Sequence, residues 1–266
     1  MWTCAELART AIRDGIVDSI SPQSVQRILK ACKLKPWRVH HWLSSKVKRD
    51  EAFEACIRNV ADLYLRPLEP NERVLSIDEK TSIQPRPRSC PTLPAQPDGV
   101  PVHVESEYAR VGALNLLASF DTRTGEVIGI CRPRKRMVEF IELLEAIDRS
   151  TPESVTKIHL VCDNVITHRG RLVRAWLAAH PRFVIHHTPV HCSWMNQVEQ
   201  WFSILQRKRL SAVNFANLVD LETKLHSFIA EWNATAHPFK WTAQSFDKTL
   251  AKITAAIDSR RAEAAQ

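Results

Sequence analysis

The chain has 266 residues, of which 44% are hydrophobic and 25% charged, a composition ordinary for a folded globular protein with a sizeable core. The start, MWTCAELAR, contains the acid Glu6 and no apolar core, so we expect no signal peptide. No run approaches the roughly 18 consecutive apolar residues of a membrane span, so we expect no membrane partner and a cytoplasmic location. The seven cysteines are scattered without a CxxC pair, which indicates reduced thiols.

Positive charge is concentrated near the N-terminus. The net charge is +8, and residues 1–66 hold 12 Lys/Arg against 7 Asp/Glu. Residues 19–49 contain no acid and eight basic residues, which are Arg27, Lys30, Lys33, Lys35, Arg38, Lys46, Lys48 and Arg49. A block of one sign beside a helix is typical of a polyanion-binding surface. The alternative is a solvated basic face.

The first 45 residues predict short helices. One helix is expected over residues 5–12, followed by a turn at Asp14-Gly15. A second helix begins after the cap Ser21, with Pro22 at its first position. Its apolar stripe is Val25, Ile28, Leu29 and Cys32, and its outer face is Gln23, Ser24, Gln26, Arg27 and Lys30. This order favours a helix-turn-helix DNA-binding module over residues 1–48, with amides and Arg on base edges and Lys on phosphates. Lys33, Lys35 and Arg38 extend the predicted DNA-binding surface.

The remaining chain predicts an α/β domain. Residues 49–72 are expected to form a linker helix and a proline-containing loop, and residues 73–266 a second domain. Its expected strands cover 74–83, 110–120, 127–131, 157–162 and 183–187, and its expected helices cover 137–147, 171–179, 194–206, 218–232 and 243–256. The proline-rich segment 85–101 is expected to be irregular. Three strands followed by alternating helices and strands predict a mixed sheet with helices on both faces.

Three acids lie where separate elements of this domain would bring them together. Asp78 lies at the middle or end of the first strand, Asp163 follows the fourth strand, and Glu199 lies on the helix after the fifth. A carboxylate at the end of a buried strand is costly unless it is paired or holds a metal. Each acid alone has an ordinary explanation as a helix cap, an ion-pair partner of Lys80 or a surface acid. Together they predict a site for two Mg²⁺ or Mn²⁺ ions about 4 Å apart that acts on phosphate.

Several neighbouring side chains complete the predicted site. On the helix expected over residues 194–206, Trp194 is assigned to the apolar side, whereas Asn196, Glu199 and Ser203 share another face. Asn164 and Asn196 are candidate supporting residues. The candidate phosphate contacts are Lys80, His168, Arg207, Lys208 and Arg209, although a solvated helix end also explains the last three. His186, His187, His191 and Cys192 form a cluster, but no second ligand pair has zinc spacing, so we expect no zinc site there.

The sequence resembles the mariner-like bacterial insertion-sequence transposases of the DDE superfamily, which have an RNase H-like core. The segments that carry the resemblance, over nearly the whole chain, are SISPQSVQRILKACKLKPWRVHHWL, VLSIDEKTSIQ, HLVCDNVITH, HHTPVHCSWMNQVEQWFSIL and WNATAHPFKW. The resemblance implies a catalytic triad at Asp78, Asp163 and Glu199. It also implies double-stranded DNA partners (terminal inverted repeats and target DNA), a homodimer on DNA and a location at the bacterial nucleoid.

One departure from the family pattern bears on function. Such transposases usually have a further helix-turn-helix module upstream, whereas this sequence starts close to the second module, so we expect a shortened copy. The leading hypothesis is a DNA transposase that cuts element ends and joins them to target DNA. Two alternatives stay open: a nuclease or resolvase on the same core, and a non-catalytic DNA-binding remnant.

Overall fold

The computed structural model describes residues 3–34, 50–99, 101–211, 214–244, 246–247, 250–251 and 254. The chain forms two compact units, residues 1–46 and 47–266. Lys35 and Arg38, together with half of the predicted helix over 243–256, lie outside the described residues. Within them, none of the helices combines the length and the apolar character that crossing a bilayer requires.

The first unit contains two capped helices, α1 (Cys4–Arg13) and α2 (Pro22–Ala31). Thr3 and Glu6 form a reciprocal capping box at the start of α1. Ser21 caps α2 by accepting a hydrogen bond from the backbone N–H of Ser24. Val25 of α2 is buried, as predicted from the apolar stripe, but Ile28 is 53% exposed. Cys32 is exposed as well, so the predicted apolar stripe is wrong at Ile28 and Cys32 for the described part of the unit.

The second unit is built on a five-stranded mixed sheet. The strands are β1 (Glu72–Ile83), β2 (Leu114–Asp121), β3 (Val127–Arg132), β4 (Lys157–Cys162) and β5 (Phe183–His187). Their order is β3-β2-β1-β4-β5, with β1 antiparallel to β2 and parallel to β4. The helices of the unit are α3 (Glu51–Leu65), α4 (Met137–Ser150), α5 (Arg171–Ala179), α6 (Val198–Leu205) and α7 (Leu218–Asn233). The predicted mixed sheet is confirmed.

Alternation along the strands divides the core between the two faces of the sheet. On one face, β2 residues such as Leu116 and Phe120 pack with Trp201 of α6 and with α7. On the other face, Leu75 and Ile77 of β1 and Leu117 of β2 pack with α4 and α5. Helices therefore cover both faces, as the order of elements predicted.

Helix α3 is part of the core of the second unit. Its buried residues Ile57, Val60 and Tyr64 pack with Val74 of β1 and Met195. The Tyr64 hydroxyl also donates a hydrogen bond of 2.9 Å to the Met195 carbonyl. The helix expected within residues 49–72 is α3, and its apolar face is buried on the sheet.

Two of the described elements begin four residues later than predicted. Strand β2 begins at Leu114 rather than at 110. The helix expected from residue 194 begins at Val198, because Ser193–Met195 forms a short 3₁₀ turn and Asn196 is extended. Trp194, assigned to the apolar helix side, is 41% exposed. Asn196 consequently does not share a helical face with Glu199.

Candidate active site

Parallel pairing of β1 with β4 brings two of the three acids to one edge of the sheet. The register pairs Ser76 with Val161. Asp78 and Asp163 each lie two residues after this pair, so both are at the carboxyl edge of the two parallel strands. Asp78 is still within β1, whereas Asp163 directly follows β4. This edge is where parallel sheets place ligands.

A buried hydrogen-bond network fixes the start of α6, and with it Glu199, against β1. The Asn196 side chain is fully buried and donates bonds of 2.9 Å to the Ile77 carbonyl and 3.0 Å to Asp78 Oδ2. Asn196 Oδ1 accepts a hydrogen bond from the Ser76 hydroxyl, which in turn accepts from the backbone N–H of Val198. The segment before α6 is thus bonded directly to the strand that carries Asp78.

Asp78 lies in a site crowded with negative charge. Its side chain is buried, and Oδ1 accepts a 2.8 Å hydrogen bond from the backbone N–H of Glu79. Burial, together with the charges of Glu199 and Asp163, raises the pKa of Asp78 to about 7. Such a raised pKa means that the site favours an additional positive charge near Asp78.

Glu199 completes the cluster from the first turn of α6. The residue is exposed, yet partial desolvation of its carboxyl raises its pKa above the ordinary value, and the charge of Asp163 adds to this effect. Lys80 acts in the opposite direction. A cavity of about 330 Å³ opens beside Glu199 and is lined by Lys80, Glu199, Phe202, Ser203, Gln206 and Arg207. The two predicted phosphate contacts Lys80 and Arg207 therefore lie next to the acid.

Asp163 is supported by a buried histidine. Burial alone would raise its pKa, but His168 and a 3.1 Å hydrogen bond from the Val165 N–H hold the pKa of Asp163 below its usual value. His168 Nδ1 lies 3.0 Å from Asp163 Oδ1, close enough for an ion pair though not aligned as a hydrogen bond. His168 Nε2 lies 2.9 Å from Glu79 Oε1. The imidazole thus links two carboxylates.

The predicted phosphate contact at His168 is wrong. Its side chain is completely buried and its ring lies against Phe140, with centroids 4.4 Å apart. Burial lowers the pKa of His168, but Asp163, Cys162 and Glu79 outweigh burial and raise it to about 12. A charged, buried ring between two acids orients Asp163 and cannot reach solvent-borne phosphate. Glu79 was missed in the sequence, although it directly follows Asp78.

The remaining predicted site residues near the acids, Asn164, Lys208 and Arg209, have different surroundings. The Asn164 side chain donates to the Thr188 carbonyl and accepts from Arg169, so it joins the ends of β4 and β5. Lys208 is exposed. Arg209 forms an ion pair with Glu231 of α7 and lies 5.2 Å above the Phe228 ring, so its prediction as a phosphate contact is not supported.

The histidine cluster near β5 is held by internal contacts. His186 Nε2 lies 2.9 Å from His159 Nδ1, and His187 Nδ1 lies 2.9 Å from the Asp163 carbonyl. These contacts give the two rings structural partners between neighbouring strands.

The first unit presents the predicted DNA-reading side chains of α2. Gln23, Gln26, Arg27 and Lys30 are exposed, as is Lys33 just after the helix. Ser24 is only partly exposed, because its hydroxyl contacts the cap Ser21 at 3.0 Å and Arg27 at 3.2 Å. Ser24 therefore supports the helix start and Arg27.

Comparison with solved structures agrees with this architecture. The Mos1 mariner paired end complex with Mn is 16% identical, with a TM-score of 0.57, and the match covers 97% of this chain and 74% of that chain. The Mos1 strand transfer complex is 14% identical, with a TM-score of 0.53, and the match covers 97% and 73% of the two chains. At these identities the likeness concerns the fold, and it confirms the predicted RNase H-like class.

Comparison at the level of sequence identifies the family of the chain. An insertion element IS630 uncharacterized 39 kDa protein of Shigella sonnei is 31% identical over 99 residues, which are 37% of this chain and 27% of that relative. The chain thus matches about a quarter of the length of this relative. A family model described as DDE superfamily endonuclease matches residues 73–222, a range that contains Asp78, Asp163 and Glu199. The chain belongs to the DDE superfamily endonucleases.

Proposed function

We propose that the protein is a DNA transposase that cuts the ends of its element and joins them to target DNA. The observation that carries the proposal is the convergence of Asp78, Asp163 and Glu199 at one sheet edge in a DDE endonuclease. Similarity to an insertion-element protein and to Mos1 transposition complexes supports this choice of DNA reaction.

The three carboxylates suit divalent cations, and we assign them two Mg²⁺ or Mn²⁺ ions. Their oxygen atoms are the hard ligands that these metals prefer. The raised pKa of Asp78, about 7, reflects burial of its carboxyl and the negative charges of Glu199 and Asp163 beside it, and a bound cation would offset both. When bound, such ions favour deprotonation of the attacking hydroxyl and stabilise the charge on the leaving oxygen.

The protein's own residues would align the DNA for in-line attack. Water attacks a phosphodiester at the element end and breaks the bond to the 3′-oxygen, which leaves a free 3′-hydroxyl. That hydroxyl then attacks target DNA in the same way, so no covalent protein intermediate forms. Asn196 would orient Asp78 and His168 would orient Asp163, while Lys80 and Arg207, which line the cavity beside Glu199, would contact strand phosphates.

We assign recognition of the DNA ends to a helix-turn-helix module in residues 1–48 and catalysis to residues 73–266 with α3 packed on them. The exposed amide and basic face of α2 supports the first assignment. Double-stranded terminal repeats and target DNA are the proposed substrates, a homodimer on DNA the proposed assembly, and the bacterial nucleoid the proposed site of action.

Cleavage of DNA carrying the terminal inverted repeats, with Mg²⁺ present, tests the function. We expect the separate variants Asp78→Asn, Asp163→Asn and Glu199→Gln to reduce cleavage to background while the fold is retained. Glu145→Gln, which removes an exposed acid on α4, is the matched control and should keep full activity. Undiminished cleavage by Asp163→Asn would remove that residue from the mechanism.

The products separate the proposed reaction from its alternatives. Joined element–target strands support transposition, whereas free ends without joining favour a nuclease or resolvase on the same core. Failure of the intact protein to bind Mn²⁺ in a calorimetric titration would instead favour a non-catalytic DNA-binding remnant.

A further inference from the structure

Three side chains of different metal-binding chemistry meet at the outer strand of the sheet. Cys131 lies on β3, while Glu222 and His226 lie on α7, and their ligand atoms are all within 4.8 Å of one another. The catalytic acid Asp78 is on β1, with β2 between β1 and β3. The cluster is therefore separate from the three carboxylates of the DDE site.

The fold holds this cluster by packing α7 closely along β3. At one end, the Asn233 side chain exchanges hydrogen bonds of 2.9 and 2.8 Å with the backbone N–H and carbonyl of Val127. Two strand residues further on, a Cβ at Gly129 would lie 2.7 Å from Ile229 Cδ1, so glycine permits the close approach. Two residues further along β3 lies Cys131, next to the part of α7 that precedes Ile229 and carries Glu222 and His226. Glu222 and His226 are four residues apart and so share a helix face.

The combination of donors is selective for a borderline-soft metal. One thiol, one imidazole and one carboxylate form a mixed set that fits Zn²⁺ better than the all-oxygen preference of Mg²⁺. Bonds of 2.0–2.3 Å to a tetrahedral zinc place ligand atoms roughly 3.3–3.8 Å apart. Separations within 4.8 Å therefore need only small side-chain rotations to close.

The burial of the three ligands suits entry of an ion from solvent. Cys131 is 3% exposed, whereas the side chains of Glu222 and His226 are 43% and 47% exposed. The two exposed ligands can adjust their rotamers around an arriving ion at little cost.

We propose that Cys131, Glu222 and His226 bind one zinc ion, with water as the fourth ligand. The ion fastens α7 to the edge strand β3. Helix α7 also packs against α6, where Trp201 and Phe228 lie with centroids 5.9 Å apart. The zinc site thus stabilises the layer that supports the helix carrying Glu199.

Cobalt substitution in the metal-free, full-length protein tests the proposal. A thiolate bound to Co²⁺ produces an intense near-ultraviolet charge-transfer band, which carboxylate ligands alone do not. We expect this band to saturate at one equivalent, to disappear on addition of Zn²⁺, and to be absent in Cys131→Ser. Because Cys131 is buried, His226→Gln provides a second variant at an exposed position. It should weaken metal binding at least about tenfold, the lower end of the loss seen even for residues behind the ligands.

Matched controls remove the same groups elsewhere. Cys90→Ser and His103→Gln change exposed residues and should leave the band and the affinity unchanged. Asp163→Asn should also keep the band, so failure of the catalytic assignment is distinguishable from failure of the zinc site. Absence of the band in the parent protein, its survival in Cys131→Ser, or unchanged affinity in His226→Gln would each overturn the proposal.

Discussion

His168 is a buried, charged ring that joins two acids, and it has no exposed surface with which to contact a ligand. Glu79, its second partner, has a side chain only 5% exposed. A buried carboxylate that loses its partner is left uncompensated, which is far more costly than the pair itself is stabilising. His168 therefore couples the stability of the domain to the orientation of Asp163.

Replacing His168 by Gln should lower both stability and activity. We expect a loss of about 3 kcal/mol in the free energy of unfolding, because Glu79 stays buried without its cation. Cleavage should fall roughly 10–100-fold, as for other residues that orient metal ligands. Urea unfolding and initial cleavage rates measure the two effects. The double variant His168→Gln with Glu79→Gln should recover part of the stability but not the activity. Recovery of neither would show that the buried charge of Glu79 does not cause the loss of stability.

His186 should make stability depend on pH. Burial, with the neighbouring His159 and Lys157, lowers the pKa of His186 to about 4, below its ordinary value of 6.5. Between these values the unfolded chain binds a proton that the folded protein does not, so stability is full above pH 6.5 and falls as the pH drops toward 4. We expect His186 to contribute on the order of 1 kcal/mol to the free energy of unfolding, after allowance for partial solvent screening.

Denaturant unfolding from pH 7 to 4 measures this dependence. His186→Gln should flatten the decline, whereas His103→Gln, at an exposed position, serves as the matched histidine removal. An unaltered slope in His186→Gln would place the acid sensitivity on other groups. Glu72 is not such a group, because its hydrogen bond with Arg66 lowers its pKa from 4.5 to about 2, and its contribution to stability is therefore lost below this pH range.

At the scale of elements, the β2–β3 hairpin depends on one glycine for two reasons. Gly125 has φ +81°, and a Cβ there would lie 2.2 Å from the backbone of His237. The Trp232 indole also donates a 2.8 Å bond to the Gly125 carbonyl. The turn is thus the point where the chain after α7 lies against the sheet.

Gly125→Ala should destabilise the domain by about 2–5 kcal/mol. Left-handed backbone costs an L-residue roughly 1–2 kcal/mol, and overpacking against rigid backbone adds about 1–3 kcal/mol. Gly99→Ala is a matched control with the same φ of +81° and nothing within 4 Å of the added atom. Urea midpoints should therefore move much more for Gly125→Ala. Equal shifts in the two variants would show that the backbone conformation alone accounts for the effect.

Local sequence predicted the elements of the site, but not the positions that depend on residues distant in the chain. Strand ends with acids at Asp78 and Asp163 follow from local apolar runs, so the edge that carries them was predictable. The start of α6 was not, since Asn196 is extended to bond Ser76 and Ile77, which lie far away in sequence. Periodicity likewise indicated a buried face on α3 but not the core against which it packs. The position of His168 was missed for the same reason, because one of its partners is on β1.

For the whole molecule, DNA affinity should fall steeply with salt. Each phosphate contact contributes a slope of roughly 0.9 in log K against log salt concentration. Lys30→Ala in the full-length protein should reduce this slope by about one contact, whereas Arg149→Ala, an exposed basic residue on α4, should not. Titration by fluorescence anisotropy at several salt concentrations measures the slopes. A slope near zero in the parent protein would exclude the basic N-terminal block as the DNA surface.

The parallel pairing of β1 with β4 also has a consequence for protein synthesis. The proposed catalytic acids are at residues 78, 163 and 199, and α7, which covers one face of the sheet, ends at Asn233. A nascent chain therefore cannot assemble the three proposed catalytic acids until Glu199 has left the ribosome. Translation products that stop before α6 should lack the complete proposed site and be unable to cut DNA.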